Sequence, residues 1–293
     1  MEITASMVKE LRDKTGAGMM DCKKALAANE GDMTKAAEWL REKGIAKAEK
    51  KATRVAAEGL CEVKIEGNKA VIFELNCETD FVAKNDNFKS LLNTVGNALL
   101  ASNATNTEEG LVVTVDGVEV QQLLLEMTAK IGEKITLRNV QVYTKEDNES
   151  FGYYKHNGGN IVCLAVVNGS EEVAKDVAMH VCALNPQYLD QTQISAEYIA
   201  HEKSILVKEA ENDPKAKGKP ANIIEKMVEG RLNKQLKEIC LVNQAFVKNP
   251  DQSVQQFLKE HNASVTRFVR VVVGDGIEKK EVDFAQEVMS QIK

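Results

Sequence analysis

VIFELNCETDFVAKNDNF, residues 71–88, decides how the rest of the chain is read. Val71, Ile72, Phe73 and Leu75 form a short apolar run rich in β-branched and aromatic side chains, which predicts a buried strand. Phe88, Leu91, Leu92 and Val95 then recur at helical spacing, with Asp86 placed to cap that helix. Between strand and helix, Thr79-Asp80-Phe81-Val82 sets a large aromatic beside a carboxylate, with Lys84, Asn85 and Asp86 around it. The segment reads as a loop with two outcomes: Phe81 is presented outward, or it packs back onto its own helix.

Working outward, residues 60–65 read as the partner strand of 71–76, joined by Glu66-Gly67-Asn68. The helix runs to about Ser102, a second helix covers 118–131, and a strand covers 135–143. After a polar break at 145–150 the same order returns. Strands at 151–155 and 161–167 are joined by His156-Asn157-Gly158-Gly159-Asn160, a helix follows at 171–184, and the copy closes with a helix at 254–261 and a strand at 266–273. Val120-Gln121-Gln122-Leu123-Leu124 and Val254-Gln255-Gln256-Phe257-Leu258 stand at the same place in each copy. The expected fold class is α+β, with two related subdomains, each a three-stranded antiparallel sheet with helices on one face. The first spans 55–143; the second is split into 144–185 and 230–274.

The split is an insertion, residues 186–229. Ser195 opens a helix carrying Tyr198, Ile199, Ile205 and Leu206, residues 212–220 break it with two prolines and a glycine, and a return helix carries Ile223, Ile224, Met227, Val228, Leu232 and Leu236. Two helices around a short turn predict an antiparallel hairpin. Its apolar stripe is wide enough to support self-association or a binding partner. Gly274-Asp275-Gly276 sets off a last amphipathic helix over 277–293, within a C-terminal module at 275–293.

Residues 1–54 read as a three-helix domain. Thr4 and Ser6 are candidate caps for the first helix, which stops at Lys14-Thr15-Gly16; Cys22, Ala25 and Leu26 mark the second; Gly31-Asp32 caps a third carrying Ala36, Ala37, Trp39 and Leu40. Met19 and Met20 follow the flexible Gly16-Ala17-Gly18, where they either fill a core or face a partner. A further helix is expected from Ile45 to Ala57, with Lys47, Lys50, Lys51 and Arg54 on one solvated face.

The whole chain carries a net charge of −6, which disfavours general binding to nucleic acid or an anionic membrane. Residues 1–54 depart from this, with 12 Lys and Arg against 9 Asp and Glu. The stripe at Lys47–Arg54 lacks the interleaved aromatics and Gly-rich loop of a phosphate-binding face, so no direct nucleic-acid contact is expected. Six scattered cysteines, without a CxxC pair, predict reduced, buried thiols. The first residues show no leader pattern and no window is apolar enough to span a membrane, so a cytoplasmic protein is expected. The four histidines are far apart, no cofactor or metal site is indicated, and GxxxxGK[ST], GxGxxG after a strand, GxSxG and HExxH are all missing from the sequence. A protein that acts by binding, without covalent chemistry, is the class these features favour.

ITASMVKELRDKTGAGMMDCKKAL (3–26), NCETDFVAKND (76–86), AKIGE (129–133), AMHV (178–181), EKMVEGR (225–231), FLKEHNASV (257–265) and EKKEVDFAQEV (278–288) together resemble bacterial elongation factor Ts, colinearly along the chain. The match is loosest over 111–118 and 146–154. That family is the guanine-nucleotide exchange factor of elongation factor Tu, and residues 1–54 further resemble the ubiquitin-associated fold. The resemblance implies a partner, elongation factor Tu in its GDP-bound and nucleotide-free states. It implies that Arg12, Met19, Met20 and Lys23 grip the GTPase, that Thr79, Asp80, Phe81 and Val82 intrude near its bound magnesium, and that Ile131, Gly132 and His156 support the same interface. A homodimer through the inserted hairpin or the core is compatible with it. From the residues alone, a peptide or ubiquitin-like adaptor built on 1–54 stays open, as does, more distantly, RNA binding through the basic stripe.

Overall fold

The computed structural model describes residues 3–213 and 219–278. The chain divides into two compact units: residues up to Tyr143 with Gly158–Asn160 and the chain from Val271 onward, and Thr144–Asn157 with Ile161–Arg270.

The first unit opens with α1 (Ala5–Thr15), α2 (Met19–Ala28) and α3 (Met33–Glu49). The Thr4 hydroxyl accepts from the Met7 N–H and the Asp32 carboxylate from those of Thr34 and Lys35, so both helices start on side-chain caps. Gly16, at φ 69°, closes α1 in the left-handed region, where a side chain would be strained. Val8, Leu11, Cys22, Ala25, Leu26 and Ala36 form the small core of the three helices.

There follow β1 (Glu58–Glu66), β2 (Lys69–Cys77), α4 (Asp80–Ala83), α5 (Asp86–Ala101), α6 (Thr107–Leu111), β3 (Thr114–Val115), β4 (Val118–Glu119), α7 (Val120–Ile131) and β5 (Thr136–Thr144). β1 and β2 are antiparallel, with Val63 opposite Ile72, and β2 is the central strand of the order β1-β2-β5. Val71, Phe73, Leu75 and Cys77 join one cluster with Phe88, Leu91, Val95 and Leu99 of α5 and Leu124 of α7. Ala70, Ile72, Glu74 and Asn76 alternate onto the other face and are buried too. Burial on both faces explains why the run Val71–Leu75 lacks the polar alternation of a half-exposed strand. The buried Glu74 carboxylate accepts from Asn76 Nδ2 at 2.5 Å, Asn139 Nδ2 at 2.7 Å and the Gly274 N–H at 2.6 Å, with Arg138 Nη1 3.7 Å away.

The second unit contains β6 (Glu149–His156), β7 (Ile161–Asn168), α8 (Glu171–Leu184), α9 (Ala196–Asn212), α10 (Ala221–Glu238), β8 (Ala245–Phe246), β9 (Asn249–Ser253), α11 (Val254–Glu260) and β10 (Ser264–Val272). Its sheet has the order β10-β7-β6, again with the second strand of the long hairpin in the centre. Both sequences of elements run long hairpin, helix, short antiparallel pair, helix, strand. Val173, Val177 and Val181 of α8 pack with Cys163, Ala165 and Val167 of β7 and with Phe257 of α11. The helical pair α9–α10 has its own cluster of Leu206, Ala210, Val228, Leu232 and Leu236.

Several expected boundaries move. Asn85, not Asp86, caps α5: its side chain accepts from Asn87 N, and Asp86 occupies the acidic first turn. The helix expected from Ile45 to Ala57 is the end of α3 and stops at Glu49; beyond it Lys51 bonds to Gly132 O and Arg54 pairs with Glu78. Residues 118–119 belong to β4 rather than to α7. The polar break at 145–150 ends early, since Glu149 and Ser150 enter β6 and the Glu149 carboxylate accepts from Glu146 N and Thr266 Oγ1. The insertion boundary at 229/230 falls inside α10, whose buried residues continue to Leu236. The terminal helix expected over 277–293 lies, from residue 279 on, outside the described residues. All six cysteines are buried and unbridged, and among the described residues no helix is long and apolar enough to cross a membrane.

Candidate functional site

The residues between β2 and α5 form a structured turn where the sequence suggested a loop. Thr79 is extended, at φ −129°, and its hydroxyl accepts from Val82 N at 3.4 Å, which starts the single turn α4. Val82 packs against the core of the first unit and Ala83 is buried. Phe81, immediately before them in sequence, is 80% exposed. Two apolar neighbours hold the turn down while the largest side chain stands in solvent, which decides between the two outcomes for Phe81. Asp80 is also exposed; Lys84 Nζ lies 2.6 Å from its Oδ2 and holds its carboxyl below the usual carboxylate range.

A second anchor comes from the end of α7. Gly132, at φ 92°, closes that helix with its N–H on Thr128 O, and the chain turns back toward β2. Glu133 Oε2 accepts from the Thr79 N–H at 2.9 Å and Oε1 from Thr79 Oγ1 at 2.8 Å. In the reverse sense, Glu78 Oε1 accepts from the Lys134 N–H at 2.7 Å, and Glu78 also pairs with Arg54 at 3.3 Å. Lys134 Nζ donates to Arg54 O and Lys51 Nζ to Gly132 O. Two adjacent acid–backbone bonds thus cross between residues 78–79 and 133–134. Cys77 lies beneath, its thiol donating to Thr79 O at 3.1 Å; burial, then the nearby Glu133, pushes that thiol up to about 12.

Ile131 and Gly132 directly precede Glu133, whose carboxylate holds Thr79, the first residue of the turn. Arg12, Met19, Met20 and Lys23 are exposed on α1 and α2. Met19 and Met20 are not in a loop; they form the first turn of α2, at 54% and 66% exposure, so they do not fill the core. Lys47 reaches Asp21 at 3.5 Å and Arg41 reaches Glu126 of α7 at 2.7 Å, while a cavity of about 350 Å³ lies among residues that include Ala17, Trp39, Lys43 and Lys130. Three members of the basic stripe, Lys47, Lys51 and Arg54, have partners within the chain. His156 ends β6 in the second unit, exposed, with its ring 6.4 Å from that of Tyr154.

Glu78, Glu133 and Lys134 had no role in the expectations, although Glu133 closes the AKIGE stretch. A glutamate directly after a helix-ending glycine is the one sequence signal that pointed to it, since it is placed to reach a neighbouring strand end. The site offers a partner an aromatic ring on a tethered turn, a carboxylate beside it, and a separate pair of exposed methionines. The family model described as Elongation factor TS matches residues 78–275, more than half of the chain. The one described as Elongation factor Ts, mitochondrial, N-terminal matches residues 1–49.

Proposed function

The chain belongs to the elongation factor Ts family, translation elongation factors with a nucleotide-exchange role towards elongation factor Tu, and from that premise we propose that the Thr79–Val82 turn is the element that expels GDP. The observation that carries this reading is the 80% exposure of Phe81 on a turn that Thr79 and Val82 tie down on either side. An aromatic ring held in water is a liability for a free protein and an asset at an interface. Seating Phe81 in a pocket of the GTPase contributes about 1.5–3 kcal/mol, enough to favour a GTPase conformation that is otherwise a minor one. Asp80, an exposed carboxylate paired with Lys84, brings negative charge towards the phosphate and magnesium and disturbs the ligands of the metal. GDP then leaves without any covalent step.

In this reading Arg12, Met19, Met20 and Lys23 make the first grip through exposed side chains of α1 and α2, methionine suiting an adaptable surface. Ile131 and Gly132 flank the intruding turn, and His156 adds a contact from the second unit. A cytoplasmic site of action accords with such a partner. Linkage makes the exchange reversible: the factor weakens nucleotide binding by the same ratio by which nucleotide weakens factor binding, so incoming GTP releases the factor.

The test is stopped-flow release of a fluorescent GDP analogue from elongation factor Tu, chased with unlabelled GDP, as the concentration of this protein rises. Acceleration that increases and saturates is expected. A folded sample that leaves the release rate at its intrinsic value contradicts exchange activity, and retention of binding by residues 1–54 alone would then favour an adaptor.

A further inference from the structure

We propose that Glu133 is a positioning residue for exchange: by holding Thr79 at both its N–H and its hydroxyl, it fixes the turn that carries Phe81. The inference rests on the reading of Phe81 given above. Both carboxylate oxygens of Glu133 are used on this one residue, at 2.9 Å and 2.8 Å, although the two positions are 54 residues apart. Thr79 is the cap of α4, whose four residues, Asp80–Ala83, are too few to hold a helical conformation by themselves. The reciprocal bond from Lys134 N to Glu78 fixes the same crossing one residue earlier, so the turn cannot pivot about Thr79 alone. Glu133 acts through Thr79 on the direction of Phe81.

The functional consequence is preorganisation. A ring on a loose loop must lose conformational freedom when it enters a pocket, whereas a ring on a braced turn has lost it already. A brace that only holds the first unit together and a brace that serves exchange make different kinetic demands. The first changes how much protein is folded. The second changes how fast a saturating amount of folded protein releases GDP, while the first encounter, made by α1 and α2, is untouched.

The experiment uses the full chain with Glu133→Ala, Glu133→Gln, Thr79→Val, the double variant Glu133→Ala/Thr79→Val, and Phe81→Ala. GDP release from elongation factor Tu is followed over a range of factor concentrations, and the folded fraction of each variant is measured by circular dichroism. Glu133→Ala is expected to lower the maximum rate about 10-fold with the half-saturating concentration changed by less than about 2-fold. Glu133→Gln keeps an acceptor for the Thr79 N–H and should fall less. Thr79→Val should cost less in the Glu133→Ala background than alone, because the bond between the Thr79 hydroxyl and Glu133 is already gone and only the cap on Val82 N is left to lose.

Wild-type maximum rates in folded Glu133→Ala and Glu133→Gln, with Phe81→Ala slow, overturn the positioning role and leave the exchange reading standing. A wild-type rate in Phe81→Ala removes the turn from exchange, whatever Glu133 does. If Glu133→Ala fails to fold, Glu133→Gln and Thr79→Val decide: undiminished rates in both overturn the proposal. Losses that track the folded fraction alone, or that add fully in the double variant, overturn it as well.

Discussion

The two units pass from central strand to first helix in opposite ways. In the second unit β7 ends at Asn168 and α8 begins at Glu171, with Gly169 and Ser170 between them and the Ser170 hydroxyl accepting from Val173 N. In the first, β2 ends at Cys77 and α5 begins at Asp86; the intervening residues include a turn of helix, Glu78 bonded to the distant Lys134 N–H and Arg54, and an exposed phenylalanine. The order of elements around both junctions is the same. A hairpin and a helix need only two residues to be joined, so the longer connection is not a requirement of the fold. On the proposed reading the additional residues carry the groups offered to a partner, and Glu133, Val82 and Ala83 tie them to the rest of the unit.

That contrast makes predictions of decreasing size. In the compact unit, β6 and α8 approach so closely that a Cβ on Gly152 would lie 2.0 Å from the carbonyl carbon of Ala174. Gly152→Ala should therefore destabilise this unit by about 3 kcal/mol, read as a shift of its denaturation midpoint. In the expanded junction, removing a far larger group should cost almost no stability. Phe81→Ala is expected to weaken binding to nucleotide-free elongation factor Tu at least ~10-fold, about 1.4 kcal/mol, in a calorimetric titration, with the midpoint unmoved. Ser170→Ala should cost about 1 kcal/mol of stability by removing the cap of α8. Equal stability costs for Phe81→Ala and Ser170→Ala would break the comparison.

The smallest effect is a pH dependence confined to the compact unit. His180 is buried on α8, with Nε2 2.9 Å from Gln244 Oε1 and Nδ1 accepting from the Val247 N–H at 3.1 Å. Burial lowers its pKa below the ordinary 6.5, so the folded state favours the neutral ring. This contribution is present above the unfolded value and is lost as pH falls through the folded one. Stability of the second unit should decline as pH falls below about 6.5, ahead of Glu149, whose carboxyl is held below the usual carboxylate range by the Glu146 N–H and Thr266. Denaturation curves over that fall in pH check it; a His180→Gln variant with the same slope would remove the histidine as its source.

The elements were legible where one physical signal dominated. β-branched runs and helical spacing located β1, β2, β7, α5 and α8 within a few residues, and Thr4, Asp32 and Ser195 cap helices as their side chains suggest. α3 misled because Lys47, Lys50, Lys51 and Arg54 continue a helical stripe beyond Glu49, while Lys51 and Arg54 answer to Gly132 and Glu78, far away in sequence. β3 and β4 are too short for periodicity to register. At the site, the sequence marked Thr79, Asp80, Phe81 and Val82 as a unit but left the direction of Phe81 open. That direction is set by Val82 and Ala83 packing inward and by Glu133 from another part of the chain, and no local pattern encodes a contact of that range.

The most direct measurement is the rate of GDP release from elongation factor Tu driven by saturating wild-type protein and by Phe81→Ala, each accompanied by its unfolding curve. Coincident unfolding curves with release slowed at least ~10-fold are the expected result, the ring being exposed in the free protein and engaged only with the partner. Equal rates from two equally folded samples would contradict the central claim that the expanded junction of the first unit drives exchange.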